Sequence, residues 1–100
     1  MFALQQYENE LGELCRANHV KELSIFGSAI TDNFNSESDI DLVVEFDNLD
    51  PFTYADSYFQ LKEALQALFH RPVDLLEAKE IRNPYLFNEI TSKKRLLYAA

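Results

Sequence analysis

Residues 39–46 read Asp-Ile-Asp-Leu-Val-Val-Glu-Phe, and no other stretch so narrows the folds open to this chain. Strand side chains alternate between faces, so Ile40, Leu42, Val44 and Phe46 form one apolar stripe while Asp39, Asp41, Val43 and Glu45 point the other way. The β-branched centre suits a strand. The apolar stripe demands a covered sheet, and the two aspartates, about 7 Å apart along the strand by its ordinary rise, can converge on one site at its mouth.

Like charges held together call for a cation or a proton. Mg²⁺ is the expected cation, because oxygen ligands with no neighbouring Cys or His pair disfavour zinc. His19 and His70 lie far from the motif and read as ordinary surface or core histidines. Asp74, between Val73 and Leu75 in a third apolar stretch, needs a reason to sit in a strand. If that strand neighbours the second, Asp39, Asp41 and Asp74 share a face and complete a two-metal site for phosphoryl displacement. The plainer reading of Asp74 is a hydrated strand-end acid.

Gly27 and Ser28 stand ten residues before Asp39. They follow the strand 22–27 and precede an expected short helix at Ser28, a geometry in which backbone N–H groups and a hydroxyl hold phosphate oxygens. By itself Gly-Ser is a common turn with an N-cap serine; its place before Asp-x-Asp gives it a functional reading.

The rest of the chain supplies the covering layers. Phe2, Leu4, Leu11, Leu14 and Cys15 recur at helical spacing over 2–19. Tyr54, Tyr58, Leu61, Leu65 and Leu68 step by four, three, four and three after the entry at Pro51. Residues 72–77 read as a strand, and Asn83-Pro84 opens a last helix. The expected order is helix, strand, short helix, strand, helix, strand, helix: an α/β (α+β) domain with a small mixed sheet covered by helices. With 100 residues, a single domain over 1–100 is expected, with no room for a second, substrate-binding one. A large acceptor must then arrive as a separate protein.

Charge limits the partners. Nine basic against seventeen acidic residues give a net charge of −8, and residues 1–60 carry twelve of the acids with only Arg16 and Lys21 as bases. Such a surface repels nucleic acid and anionic membrane. Lys93, Lys94 and Arg95 read as a solvated helix end. The lone Cys15 reads as a buried free thiol in a reducing compartment. With neither an apolar run of membrane-spanning length nor a secretory leader pattern, a cytoplasmic location is expected.

With Gly27, Ser28, Asp39, Asp41 and Asp74 in place, the chain resembles the DNA polymerase beta nucleotidyltransferase superfamily, whose pattern is Gly-Ser, about ten residues, Asp-x-Asp and a later third acid. Its length and the blocks Ser-Asp-Ile-Asp-Leu-Val-Val and Pro-Val-Asp-Leu-Leu-Glu-Ala-Lys-Glu-Ile make it most similar to the minimal nucleotidyltransferases, over nearly the whole chain. The resemblance implies the nucleotidyltransferase fold and transfer of AMP from ATP to an acceptor hydroxyl. It also implies an antitoxin role toward a HEPN-type toxin, with a tyrosine of that partner as acceptor. Under it Gly27 and Ser28 hold the triphosphate, Asp39 and Asp41 both metals, and Asp74 the metal nearest the incoming hydroxyl.

One departure matters. Members of the family often carry arginines just after the serine, where this chain has Ala29, Ile30, Thr31 and Asp32. The triphosphate loses its nearest cations, which points to weak ATP binding or a partner-dependent site; Lys79 and Arg82 are possible substitutes. A binding-only antitoxin that occludes a toxin's RNA-binding surface is the alternative, and transfer to a small molecule is a third reading. The exposed aromatics expected on a partner surface are Phe52 and Phe59, with Tyr54 and Tyr58 assigned to packing.

Overall fold

A computed structural model describes residues 4–27 and 39–100. A single 3-10 turn at Leu4–Tyr7 leads into α1 (Glu8–Ala17), followed by β1 (Val20–Phe26), β2 (Ile40–Phe46), α2 (Pro51–Phe69) and β3 (Val73–Glu77). A second 3-10 turn at Ala78–Glu80, α3 (Pro84–Lys93) and β4 (Arg95–Ala99) complete the chain. The sheet order is β3-β2-β1-β4. β1 runs antiparallel to both β2 and β4, while β2 and β3 are parallel and joined through α2. The expected mixed α/β sheet is therefore present.

The apolar stripe read from β2 is the core. Ile40, Leu42, Val44 and Phe46 cluster with Leu23 and Ile25 of β1, Val73 and Leu75 of β3, Leu11 and Cys15 of α1, and Leu61, Leu65 and Phe69 of α2. Two helices thus close one face of the sheet. Burying a Leu or Val side chain contributes about 1.5–3 kcal/mol each, so this layer dominates the stability. Cys15 is fully buried and free; burial pushes its thiol up to about 12, against the pull of Arg16.

Helix ends follow local rules. The Asp50 carboxylate accepts from the backbone N–H groups of Phe52 and Thr53, at 3.1 and 3.2 Å, ahead of Pro51 in the first turn. A hydrogen bond from the Thr53 side chain first, and then these backbone bonds, hold the Asp50 carboxyl below the usual carboxylate range. Asn83 does the same for Tyr85 and Leu86 in front of Pro84. Each such cap is worth about 1 kcal/mol. α2 ends at His70 in the left-handed region, and Gln66 accepts from the Val73 N–H at 3.1 Å, which fixes where β3 begins. The Tyr58 hydroxyl donates to the Leu75 carbonyl at 2.7 Å, so α2 is pinned to that strand as well.

The structure corrects the sequence reading at two places. The first helix is shorter than 2–19 and is preceded by a 3-10 turn. The run at Lys93–Arg95 does not simply end a helix, because Arg95 opens a fourth strand. The short helix expected at Ser28 lies outside the described residues. Both histidines, 19 and 70, are exposed and adopt positive φ, which assigns them to turns. Among the described residues no helix is long and apolar enough to cross a membrane.

Candidate functional site

The site is built where three strand ends meet. Phe26, the last residue of β1, is the Cα partner of Asp41, and Asp41 is the partner of Asp74 across the parallel pair. Register therefore sets Phe26, Asp41 and Asp74 in one row across the sheet, on the face opposite the core. Asp39 immediately precedes β2, two residues before Asp41. The condition on which Asp74 joined the other two acids, that its strand neighbours β2, is met.

Gly27 closes the row. Its φ is +73°, and a Cβ added there would lie 2.4 Å from Asp41 Oδ2 and 3.2 Å from its Cγ. Backbone conformation and space both require glycine here. The Gly27 main chain is thus packed directly against the Asp41 carboxylate, and any phosphate held by this turn would sit beside that acid. Ser28 lies outside the described residues.

The electrostatics single out Asp41. Asp39 and Asp74 are exposed, whereas Asp41 is half-buried. Burial first, then the charge of Asp74 and then that of Asp39, pushes its carboxyl above the ordinary aspartate value. A carboxylate strained in this way is relieved by a cation. Among the described residues no three His, Cys, Asp or Glu side chains form a ready-made group for a metal ion. The donor set nevertheless fits one: hard oxygens only, mutually repelling, with a glycine main chain leaving the approach to Asp41 free of any Cβ.

The two substitute cations named from the sequence stand elsewhere. Lys79 follows β3 at its C-terminal end, and its ammonium lies 3.9 Å from the centre of the Tyr54 ring. With Lys21, Glu45, Asp47 and Tyr54 it lines a cleft of about 410 Å³ at the opposite end of β2 from Asp41. Burial, then Glu77, raises the Tyr54 hydroxyl to about 12; this tyrosine is a packing residue with its ring edge on Phe46 at 5.0 Å. Arg82 is exposed, with Glu80 at 3.9 Å. Phe52 and Phe59, at 84 and 66 % exposure, are indeed free surface on α2, and Tyr54 and Tyr58 pack against the core.

What the sequence did not show is the contact of Gly27 with Asp41, which depends on strand register. A signal was present, since a glycine ending one strand faces the mouth of an antiparallel neighbour.

Residues 9–100 match the family described as polymerase beta, nucleotidyltransferase. A protein of Methanocaldococcus jannaschii that carries the provisional name protein adenylyltransferase is 38 % identical over 71 residues, which are 71 % of this chain and 70 % of that protein. Among solved structures, one described provisionally as a minimal nucleotidyltransferase superposes with a TM-score of 0.75 at 23 % identity, over 92 % of this chain and 90 % of that one. A complex of a tri-AMPylated Shewanella oneidensis HEPN toxin with its MNT antitoxin gives a TM-score of 0.65 at 24 % identity, over 98 % of this chain and 74 % of that one.

Proposed function

This chain belongs to the polymerase beta nucleotidyltransferase family, and on that premise we propose that it transfers AMP from ATP to a hydroxyl, a tyrosine by preference, on a HEPN-type toxin, and so acts as an antitoxin. The observation that carries this reading is the row Phe26–Asp41–Asp74 with Gly27 against the Asp41 carboxylate. An acid pushed toward its protonated form by burial, then by Asp74 and Asp39, suits a cation better than it suits packing. The AMPylated toxin in the related complex supplies the acceptor class.

In this reading Asp39, Asp41 and Asp74 hold Mg²⁺, and Gly27 with Ser28 presents N–H and O–H donors to the phosphates. When bound, Mg²⁺ neutralises charge on the attacking and leaving oxygens. Asp41, fixed from both sides by β1 and β3, orients the nucleotide against the Gly27 turn. Asp74, exposed on the outer strand, faces the incoming acceptor and is placed to receive its proton. The acceptor oxygen bonds to the α-phosphorus, the bond from that phosphorus to the bridging oxygen breaks, and pyrophosphate leaves.

A binding-only antitoxin is the second reading. It is favoured by the absence of arginines after Ser28 and by the lack of a ready three-acid metal group among the described residues. One experiment separates the two. The protein and its Asp41→Asn variant are incubated with α-labelled ATP, Mg²⁺ and a lysate of the host, and labelled protein is identified by mass spectrometry. Transfer predicts AMP on a tyrosine of a HEPN-type protein with the intact site alone. Occlusion predicts no label, together with a complex that survives the substitution.

A further inference from the structure

The triphosphate still needs a cation, and the fourth strand brings one. β4 pairs with β1 through Ser24–Leu96 and Ile25–Arg95. Continuing that antiparallel register by one residue sets Lys94 beside Phe26. The row at the site end of the sheet then reads Lys94, Phe26, Asp41, Asp74 across all four strands. Two strand spacings put the Lys94 backbone about 10 Å from that of Asp41, a gap that a four-carbon stem ending in an ammonium can largely span.

The side chain of Lys94 lies on the same face as the acids. Its ammonium is 3.5 Å from Glu22 Oε1, and Glu22 pairs with Glu45, which alternation places on the face of Asp41 but four residues along β2 from it, so the resting ammonium is turned along the sheet away from the acids and must swing back to reach them. Its backbone is firmly held, because its N–H donates at 2.8 Å to the carbonyl of Ile90, a buried residue of α3. The ion pair with Glu22 is loose by contrast: charge-assisted N–H···O bonds are usually about 2.7–2.9 Å. The base of this lysine is fixed and its head is weakly tethered.

The neighbouring cations are otherwise engaged. Lys93 is bonded to Glu89 one turn back on α3. Arg95 alternates to the other face, where it lines a groove with Glu8 and Leu11 of α1.

Resting on the nucleotidyl-transfer reading above, we propose that Lys94 is the triphosphate-binding cation that the Gly-Ser turn of this chain lacks. On nucleotide entry its ammonium leaves Glu22 and pairs with phosphate oxygens beside Gly27. The acidic surface is thereby neutralised from the β4 edge of the sheet, by a residue 66 positions after Ser28 in sequence.

The test is calorimetric titration of the full chain with Mg-ATP and, separately, with AMP. Lys94→Gln is expected to weaken Mg-ATP about tenfold, the scale of one charge-assisted bond, and to leave AMP nearly unchanged. Lys94→Arg should retain binding and Lys93→Gln should behave as wild type. Glu22→Gln, which frees the ammonium, should tighten Mg-ATP about twofold, the scale of one partly exposed ion pair; this gain cannot arise from misfolding. Wild-type binding of Mg-ATP with no loss in Lys94→Gln, or an equal loss for AMP, overturns the proposal alone. No binding of Mg-ATP by the wild type overturns the transfer reading and this inference together.

Discussion

The two sides of β2 come from the same seven residues and have opposite economies. On one side Ile40, Leu42 and Val44 are at most 1 % exposed and packed under two helices. On the other, Asp41 faces Asp74 and Asp39 with its carboxyl pushed toward protonation, and the neighbouring Ser24 hydroxyl is buried without a hydrogen-bond partner among the described residues. The first side is satisfied by the fold. The second holds a raised carboxyl and an unpartnered hydroxyl, groups that call for an explanation beyond packing. The stability of the core face therefore supports the strain of the acid face.

Breaking the core side should have the largest effect. Leu42→Ala is expected to cost about 2–5 kcal/mol, a large share of the stability of a domain this size, read as a fall in the urea midpoint. Asp41→Asn should do the reverse. Transfer is lost about a thousandfold, on the scale of removing a key electrostatic group, while the melting temperature holds or rises. The sign follows from the direction of the shift: a carboxyl whose folded pKa is raised favours the folded state at low pH, and that advantage is lost as pH climbs through the window above the unfolded value near 3.9. The wild type should accordingly lose stability over that window relative to Asp41→Asn, as thermal scans across pH would show. Gly27→Ala is the smallest change in atoms and sharpens the contrast. It should cost about 1–2 kcal/mol for the left-handed backbone and should also remove transfer, because the new methyl displaces Asp41.

The core side was plain in the sequence and the acid side only partly so. The alternation of residues 40–46 and the four-three spacing through Tyr54, Leu61 and Leu65 named the buried faces correctly, because periodicity is set locally. Asp74 joined Asp41 only on condition of a parallel neighbour, since register is a property of the assembled sheet. β4 escaped altogether: Arg-Leu-Leu-Tyr-Ala is a short edge strand following directly on a helix, and its partners Glu22–Ile25 lie some seventy residues earlier. The same pairing puts Lys94, read from the sequence as part of a solvated helix end, immediately before a strand that joins β1. The Gly27–Asp41 contact was signalled only by a glycine ending one strand, because it too depends on register.

The most direct test of the central claim, that the acid face is held in want of a cation, is thermal unfolding of wild type and Asp41→Asn with increasing Mg²⁺ and ATP at neutral pH. The account predicts a midpoint that rises with Mg-ATP in the wild type, by the linkage of ligand to the folded state, and stays flat in Asp41→Asn. An equal rise in both proteins, or none in the wild type, would contradict it.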